Sequence, residues 1–434
     1  MKHTVEKFDI YPLVFPADQT AEIKIKALFQ HVDFASAENI RIEYNPILHC
    51  RERMTPQGWA RGDNVDFTVE NGEIVIKQFL QNEQEHGFIV YTNDEPWLQF
   101  NVYSLKDDLL KLRPYKGDFH IHSIESDGRE CPEYVGVSAR EIGFDFMALT
   151  DHRKYEPSLR VKEFVESIPS GLKVFPGEEI HLENNPVHIV NFGSSFSVND
   201  ASNQDLEKYR KEVDDIAKTL PAEVPKQVKL ELASSEWAYD KIREGGGLAM
   251  FCHPYWRPEW FYNYIWEDCI DWMFKRSKFD ILELLGGFYR NQAFSNNEST
   301  ARYTLEMAKS GGKVNWAVAG VSDAHGCDRD LFGWYYTVLF SENCEFDSLK
   351  SAFKAQRSVA VKAITNECPE IYGELRYVRY ADFLMKKFFP MHDSLCALEG
   401  NFMKRHLAGE QGMPELIRSL PGRINELYSK YWAV

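Results

Sequence analysis

The chain has 434 residues, 44% hydrophobic and 14% aromatic, enough to bury a large core and fill two domains or more. Its 50 basic and 66 acidic side chains leave a net charge of −16 with no basic stripe, which argues against a nucleic-acid-binding surface. No apolar run reaches membrane-spanning length, the N-terminal MKHTVEKFDIYPLVF lacks a signal-peptide core, and eight cysteines lie scattered without a CxxC, so a reducing cytoplasm is the expected compartment.

Residues 1–113 read as β-rich. In AEIKIKA, Ile23 and Ile25 alternate with Glu22, Lys24 and Lys26, as in a half-buried strand. Asn71-Gly72 stands between two strand-like runs in VDFTVENGEIVIKQF, the signal for a two-residue hairpin. GFIVYT and WLQFNVY add further strands. A small antiparallel β-sandwich is expected here.

Residues 114–364 alternate strands with helices, the pattern of an α/β fold. In CPEYVGVSAREIGFDFMALTDH, Pro132 suits the first turn of a helix and Gly143 its end, and FDFMALT is a buried strand leading to His152. SSEWAYDKIREGGGLAMFCHP repeats the design: Ser234 or Ser235 is expected to cap a helix, the glycines from Gly245 end it, and LAMFC leads to His253. FDILELLGG and NWAVAGVSDAH are further buried strands, and a helix from Asn203 to Thr219 is expected in the insertion after His188. Residues 365–434 read as a helical tail. Tyr377, Tyr380, Phe383 and Leu384 recur at helical spacing, as do Ile417, Leu420, Ile424, Leu427 and Tyr431, which indicates core packing or a dimer contact.

Chemistry is concentrated in short motifs of the middle region. They are His120 and His122 in GDFHIHS, Asp127 in SDG, His152 in LTDH, Glu179 in PGEEIH, His188 in PVHIV, His253 in FCHP, and Asp323 and His325 in SDAH. Side chains at i and i+2 of a strand share a face, so His120 with His122, and Asp323 with His325, can converge on one point. Imidazole and carboxylate together suit zinc, manganese or iron. His3, His31, His49, His86, His392 and His406 read as ordinary histidines, and Cys252 as a buried thiol. His181 is either another such histidine or a neighbour that supports the ligands. Asp118 and Asp151 are either strand-end acids or groups that orient the ligands beside them.

From about Tyr115 to Lys362, these ordered motifs resemble the PHP superfamily, named for polymerase and histidinol phosphatase. The resemblance implies a distorted (β/α)7-type barrel with a di- or trinuclear site at the C-terminal ends of its strands. It implies that His120, His122, Glu179 and Asp323 surround one metal, that Glu179 bridges to a second held by His188 and His253, and that Asp127, His152 and His325 hold a third. Two or three divalent ions (Zn, Mn or Fe) are therefore expected. Clustered cations acidify water into a hydroxide nucleophile and neutralise charge on phosphoryl oxygens. Hydrolysis of small phosphate monoesters or diesters is the leading expectation, with Glu179, Asp323 and His325 in catalytic roles. Arg153 and Arg257, each close after a ligand, are candidates to hold the substrate anion. Neither stable nucleic acid nor a membrane is an expected partner; a homo-oligomer is open. Hydrolysis of an amide, carbamate or ester on the same scaffold is the alternative, and a non-catalytic metal-binding module is the third reading.

Overall fold

The computed structural model describes residues 7–29, 32–48, 54–55, 58–59, 62–258, 264–287, 293–328 and 331–433. His3, His31, His49 and Cys50 lie outside these residues. Two compact units emerge: Met1–Arg113 with Asp382–Phe388 and Gly422–Val434, and Pro114–Ala381 with Phe389–Pro421. Every described cysteine is free. Among the described residues no helix is long and apolar enough to cross a membrane.

The first unit holds two sheets. One orders Phe8–Tyr11, Gln19–Ala27, Glu73–Leu80 and Phe67–Glu70; the other orders Val14–Pro16, Glu95–Leu105, Gln84–Thr92, Ile40–Pro46 and Asp63–Asn64. Alternation in the sequence becomes alternation of burial: Ala21, Ile23 and Ile25 are buried while Glu22 and Lys26 are exposed. The hairpin forms at Asn71-Gly72, where both residues take positive φ (52° and 78°) and Glu70 pairs with Glu73. Such a turn needs two left-handed residues, which Asn and Gly supply at little steric cost. His86 is an internally satisfied histidine. Its ring nitrogens lie 2.8 Å from Tyr44 Oη and 2.7 Å from Ser104 Oγ, and burial lowers its pKa to about 4.

The second unit is mixed α/β. A six-stranded sheet orders Lys173–Phe175, Phe146–Ala148, Arg113–Asp118, Tyr335–Ser341, Ser358–Lys362 and Glu370–Gly373. A five-stranded sheet orders Gly177–Ile180, Ile189–Phe192, Leu248–Phe251, Ile281–Leu285 and Ala317–Gly320. Neither closes on itself. Two isolated parallel bridges, Ile121 with Ala324 and His152 with Glu179, join strand extensions of one to the other. Ile189–Phe192 runs antiparallel to both its neighbours. An apolar cluster that includes Phe119, Phe146, Phe192, Met250, Ile281 and Ala319 lies between the sheets, and a second that includes Leu232, Trp237, Phe251, Phe274 and Phe279 lies under the helices.

Helix Pro132–Glu141 starts on its proline as expected. The expected cap at Ser234 or Ser235 is not used. The helix begins at Lys229, so both serines lie inside it, and their hydroxyls donate back to Leu230 O and Glu231 O at 2.7 Å each. Its C-cap is Gly245, where the glycines end it. The insertion helix is split in two, Val198–Gln204 and Leu206–Thr219, because Asp205 leaves the helical region and caps the second piece through Lys208 N.

The tail forms helices Leu375–Lys387, Phe389–Leu407, Met413–Arg418 and Leu420–Tyr431. Its aromatic stripe is core packing: Tyr377, Tyr380, Phe383 and Leu384 are buried, and Tyr380 stacks on Phe340 at 5.3 Å. Helix Phe389–Leu407 carries a buried ion network. Glu399 Oε2 accepts from Arg140 Nε and Nη2 at 3.0 and 2.9 Å, and Arg140 Nη1 donates to Asp145 Oδ1 at 3.2 Å. His392 Nε2 lies 2.9 Å from the same Asp145 oxygen.

Burial would raise the Asp145 carboxyl, but His392 and Arg140 outweigh it and hold the pKa at about 2. Burial likewise opposes charge on His392, and Asp145 with Asp393 raises it well above 6.5. The contribution of Asp145 is complete above its ordinary 3.8 and is lost as pH falls through about 2. That of His392 is complete below 6.5 and is lost as pH rises through its raised value. Asp145→Asn takes one of two carboxylate partners from each of Arg140 and His392, which keep Glu399 and Asp393, so urea unfolding between pH ~4 and ~6.5 should register a loss of about 1.5–3 kcal/mol. The deficit should narrow toward pH ~2, and one that stays constant down to that pH would exclude this pairing.

Candidate metal centre

All nine candidate ligands from the sequence are carried to one rim of the second unit. Strand Arg113–Asp118 continues into His120 and His122, and Phe146–Ala148 into His152. Leu248–Phe251 precedes His253, and Ala317–Gly320 precedes Asp323 and His325. Glu179 lies inside Gly177–Ile180. His188 departs from the expectation that ligands follow strand C-termini, because it immediately precedes Ile189–Phe192. That strand is antiparallel, so its start lies on the rim where its neighbours end. His253 and Asp323 hold positive φ (23° and 51°), as does Arg153 (59°). Strained backbone of this kind persists where surrounding structure enforces it, and such places cluster at functional sites.

The first donor set is His120, His122, Glu179 and Asp323, all buried. Glu179 Oε2 lies 3.3 Å from both His120 Nε2 and His122 Nε2, and Asp323 Oδ1 lies 3.4 and 2.9 Å from them. A tetrahedral ion with bonds of about 2.0–2.1 Å has donor–donor edges of roughly 3.3–3.4 Å. The spacing therefore fits a zinc-sized cation. His120 Nε2, His122 Nε2, both Glu179 oxygens, His188 Nδ1 and Asp323 Oδ1 are buried and make no hydrogen bond of acceptable geometry. Buried polar atoms are otherwise almost always satisfied. Atoms that crowd one point without bonding to one another are what a cation would join.

Glu179 has two faces. Its Oε1 lies 2.7 Å from His188 Nδ1 and 3.6 Å from His253 Nε2, so its two oxygens address different donor sets. The third set is His122, Asp127, His152 and His325. Asp127 Oδ1 is 3.2 Å from His325 Nε2, and Oδ2 is 3.4 Å from His152 Nε2. Asp127 stands 48% exposed, which makes this set the open side of the centre.

A surrounding layer fixes these donors. Asp118 accepts from His120 N at 3.1 Å and Ser322 N at 3.2 Å, tying together the two ligand-bearing extensions. Asp151 accepts from Ser123 N, Ser123 Oγ and Ser126 Oγ at 2.8, 2.7 and 2.6 Å, which holds the loop that carries Asp127. His325 Nδ1 donates to Asp323 O at 2.8 Å, directing its Nε2 lone pair inward. His181 Nε2 lies 2.7 Å from His152 Nδ1, so it belongs to this layer. Sequence reasoning missed Glu283, whose Oε2 accepts from His120 Nδ1 at 2.9 Å. One charged residue within the apolar run ILELL was the available signal. Trp256 and Tyr264 were missed too; their rings flank His188 at 6.0 and 5.4 Å.

Of the two substrate candidates, Arg153 is exposed and forms no ion pair with any described residue. Arg257 is engaged, with Nη2 donating to Glu298 Oε1 at 2.5 Å.

Charge in the centre is set by opposing effects. Burial would neutralise Glu179, yet His188, His120 and His152 hold its carboxyl well below the usual range. Asp323 and Asp127 are likewise held below it, by His120 and His122 in one case and by His152 and His325 in the other. Burial pushes His188 down to about 3 and His122 to about 4, leaving neutral imidazoles, the form that ligates.

No family model matches the chain. The DNA polymerase/3′-5′ exonuclease PolX of Bacillus subtilis (strain 168) is 31% identical over 93 residues, covering 20% of this chain and 16% of that protein. Among solved structures, a two-domain protein containing a predicted PHP-like metal-dependent phosphoesterase from Bacteroides vulgatus ATCC 8482 is similar at 17% identity and a TM-score of 0.40, over 58% of this chain and 66% of that one. The lesion-specific endonuclease EndoQ from Pyrococcus furiosus is similar at 15% identity and a TM-score of 0.35, over 60% of this chain and 58% of that one. The chain spans a small part of the curated relative it matches.

Protein purified without chelator should carry up to about three equivalents of transition metal by elemental analysis. His122→Ala, which removes a donor reaching two sets, should lose more metal than Asp127→Asn, while Arg257→Ala should lose none. A wild-type chain that holds no metal and takes up none from zinc, manganese or iron solutions would exclude the centre.

Proposed function

We propose that the chain is a metal-dependent hydrolase of the PHP superfamily acting on small phosphate esters. The observation that carries this reading is Glu179: one buried carboxylate whose two oxygens face two different histidine sets. A carboxylate placed in this way would serve a pair of cations rather than a lone structural ion. Seven strands form the distorted barrel in this reading. They are the five-stranded sheet together with Arg113–Asp118 and Phe146–Ala148, and the bridges at Ile121 and His152 support their joining into a ring. The β-rich region 1–113 and the tail 365–434 are read as additions to a hydrolase core of residues 114–364, and the scattered free thiols favour a cytoplasmic setting.

Divalent ions bound here supply Lewis acidity, which lowers the pKa of water and offsets phosphoryl charge. The chain's own residues do the rest. Glu179, Asp323 and the six histidines orient their donor atoms inward and keep a constant geometry through turnover. Arg153, fixed beside His152 by its backbone N–H to Glu179 O at 2.9 Å, offers a planar guanidinium to a phosphoryl oxygen. His325 is assigned as a donor, because its Nδ1 proton is committed to Asp323 O and its Nε2 faces Asp127. Arg257, neutralised by Glu298, is left out of the substrate set. With a net charge of −16, a long polyanion is repelled at range while a single phosphate reaches the cationic centre.

The test compares kcat/KM for sugar phosphates, mononucleotides, single- and double-stranded DNA at equal phosphate, and carboxyl esters. Small phosphate esters should lead, and inorganic phosphate should inhibit. Arg153→Ala should lower kcat/KM by about 10- to 100-fold with metal content unchanged, as loss of a charge-assisted contact predicts. Equal cleavage of long DNA would overturn the small-substrate reading, and turnover confined to carboxyl esters, carbamates or amides would move the chain to that class.

A further inference from the structure

Glu283 is a carboxylate where the strand pattern calls for an apolar side chain. It lies in Ile281–Leu285, a strand buried at every position, and is itself 2% exposed. Ile281, two residues earlier on the same face, belongs to the apolar cluster between the sheets, together with Phe119, Met250 and Cys252. An ion in such surroundings costs several kcal/mol unless it is paired. Its one partner oxygen, Oε2, accepts from His120 Nδ1 at 2.9 Å, while Oε1 makes no hydrogen bond. The fold also leaves room for it. A Cβ on Gly286 would lie 2.5 Å from Glu283 Oε1, so the next turn of chain passes too close for any larger residue.

The other ring nitrogen of His120 is the donor that faces Glu179 and Asp323. Cys252 shares this neighbourhood, with its thiol directed to Met250 O at 3.6 Å. We infer that Glu283 is a positioning residue for the metal centre. It locks His120 as the Nδ1–H tautomer and aims Nε2 at the point shared by Glu179 and Asp323. This rests on the reading of the nine donors as a metal centre, and it adds a tenth residue that touches no metal. A leucine would fill the same space with less desolvation. The carboxylate is therefore retained for what it does to His120, not for the stability of the strand.

Full-length wild type, Glu283→Gln and Glu283→Ala are to be compared by chelator-competition titration with zinc, by the visible spectrum after cobalt(II) loading, and by melting after chelator dialysis. Gln still accepts from Nδ1–H but carries no charge, so zinc affinity should fall about tenfold, whereas Ala loses the bond and should cost up to ~100-fold. Cobalt absorption should shift in Ala and less in Gln. Melting of the chelated Gln variant should be unchanged or higher, since a buried charge is gone. Zinc affinity within twofold of wild type alongside a lower melting point would overturn the proposal, because Glu283 would then merely brace the strand. A wild type that binds no zinc or cobalt would instead overturn the metal-centre reading itself, and this inference with it.

Discussion

A fully buried carboxylate, Glu179, sets the terms for the second unit. An isolated anion at that depth is prohibitively unfavourable, and among the described residues no lysine or arginine supplies the counter-charge. Imidazoles do: His120, His122, His152, His188 and His253 all place a nitrogen within 3.6 Å of its oxygens. Neutral rings alone compensate poorly, so the arrangement is stable only with protons or metal ions shared among the donors. Other features follow from that need. The isolated bridge at His152 seats its ring beside Glu179, and the left-handed backbone at His253 and Asp323 turns two more donors inward.

How strands deliver donors explains why the centre is compact. Parallel neighbours present their C-terminal ends on one rim, and the antiparallel strand Ile189–Phe192 presents its beginning there instead. His188 can therefore join His253 although the two stand at opposite ends of their strands in sequence. The rim is also where the two sheets are held by single bridges rather than full ladders. Donors and closing contacts occupy the same few residues, such as His152 and the Ile121–Ala324 pair between ligands.

Much of this was legible in the chain because ligand chemistry is local in sequence. His-x-His and Asp-x-His pairs declare a shared face, and an apolar run before a histidine declares a strand that ends in a donor. The Asn71-Gly72 hairpin was readable for the same reason: the turn demands a backbone conformation that few residues adopt. Long-range relations were not readable. Glu283 lies 163 residues from His120, and a single glutamate within ILELL carries no mark of its partner. Asp145 and His392 are 247 residues apart, and nothing local to either marks the pairing. Ser234 and Ser235 misled because serine caps helices and also sits inside them bonded to the preceding turn. Only the position of the preceding 3-10 turn, Lys226–Val228, decides which.

The two ends of the ligand-bearing strands have opposite electrostatic tasks. Lys116, within Arg113–Asp118, and Asp145, just before Phe146–Ala148, enter a network with Asp393, Arg140, His392 and Glu399 in which each charge meets its opposite. At the far ends, His120, His122 and His152 enter a centre in which His120 Nε2, His122 Nε2, both Glu179 oxygens and Asp323 Oδ1 lack hydrogen-bonding partners. Division between a stabilising end and a chemical end is general in α/β barrels. Here it has a further consequence. Helix Phe389–Leu407, supplied by the tail, pins the satisfied end, so the strands' relative heights are fixed by contacts remote from the donors. A centre with donor spacings near 3.3 Å tolerates little sliding between strands, and the contacts of this helix with Lys116, Arg140 and Asp145 limit that sliding from outside the centre.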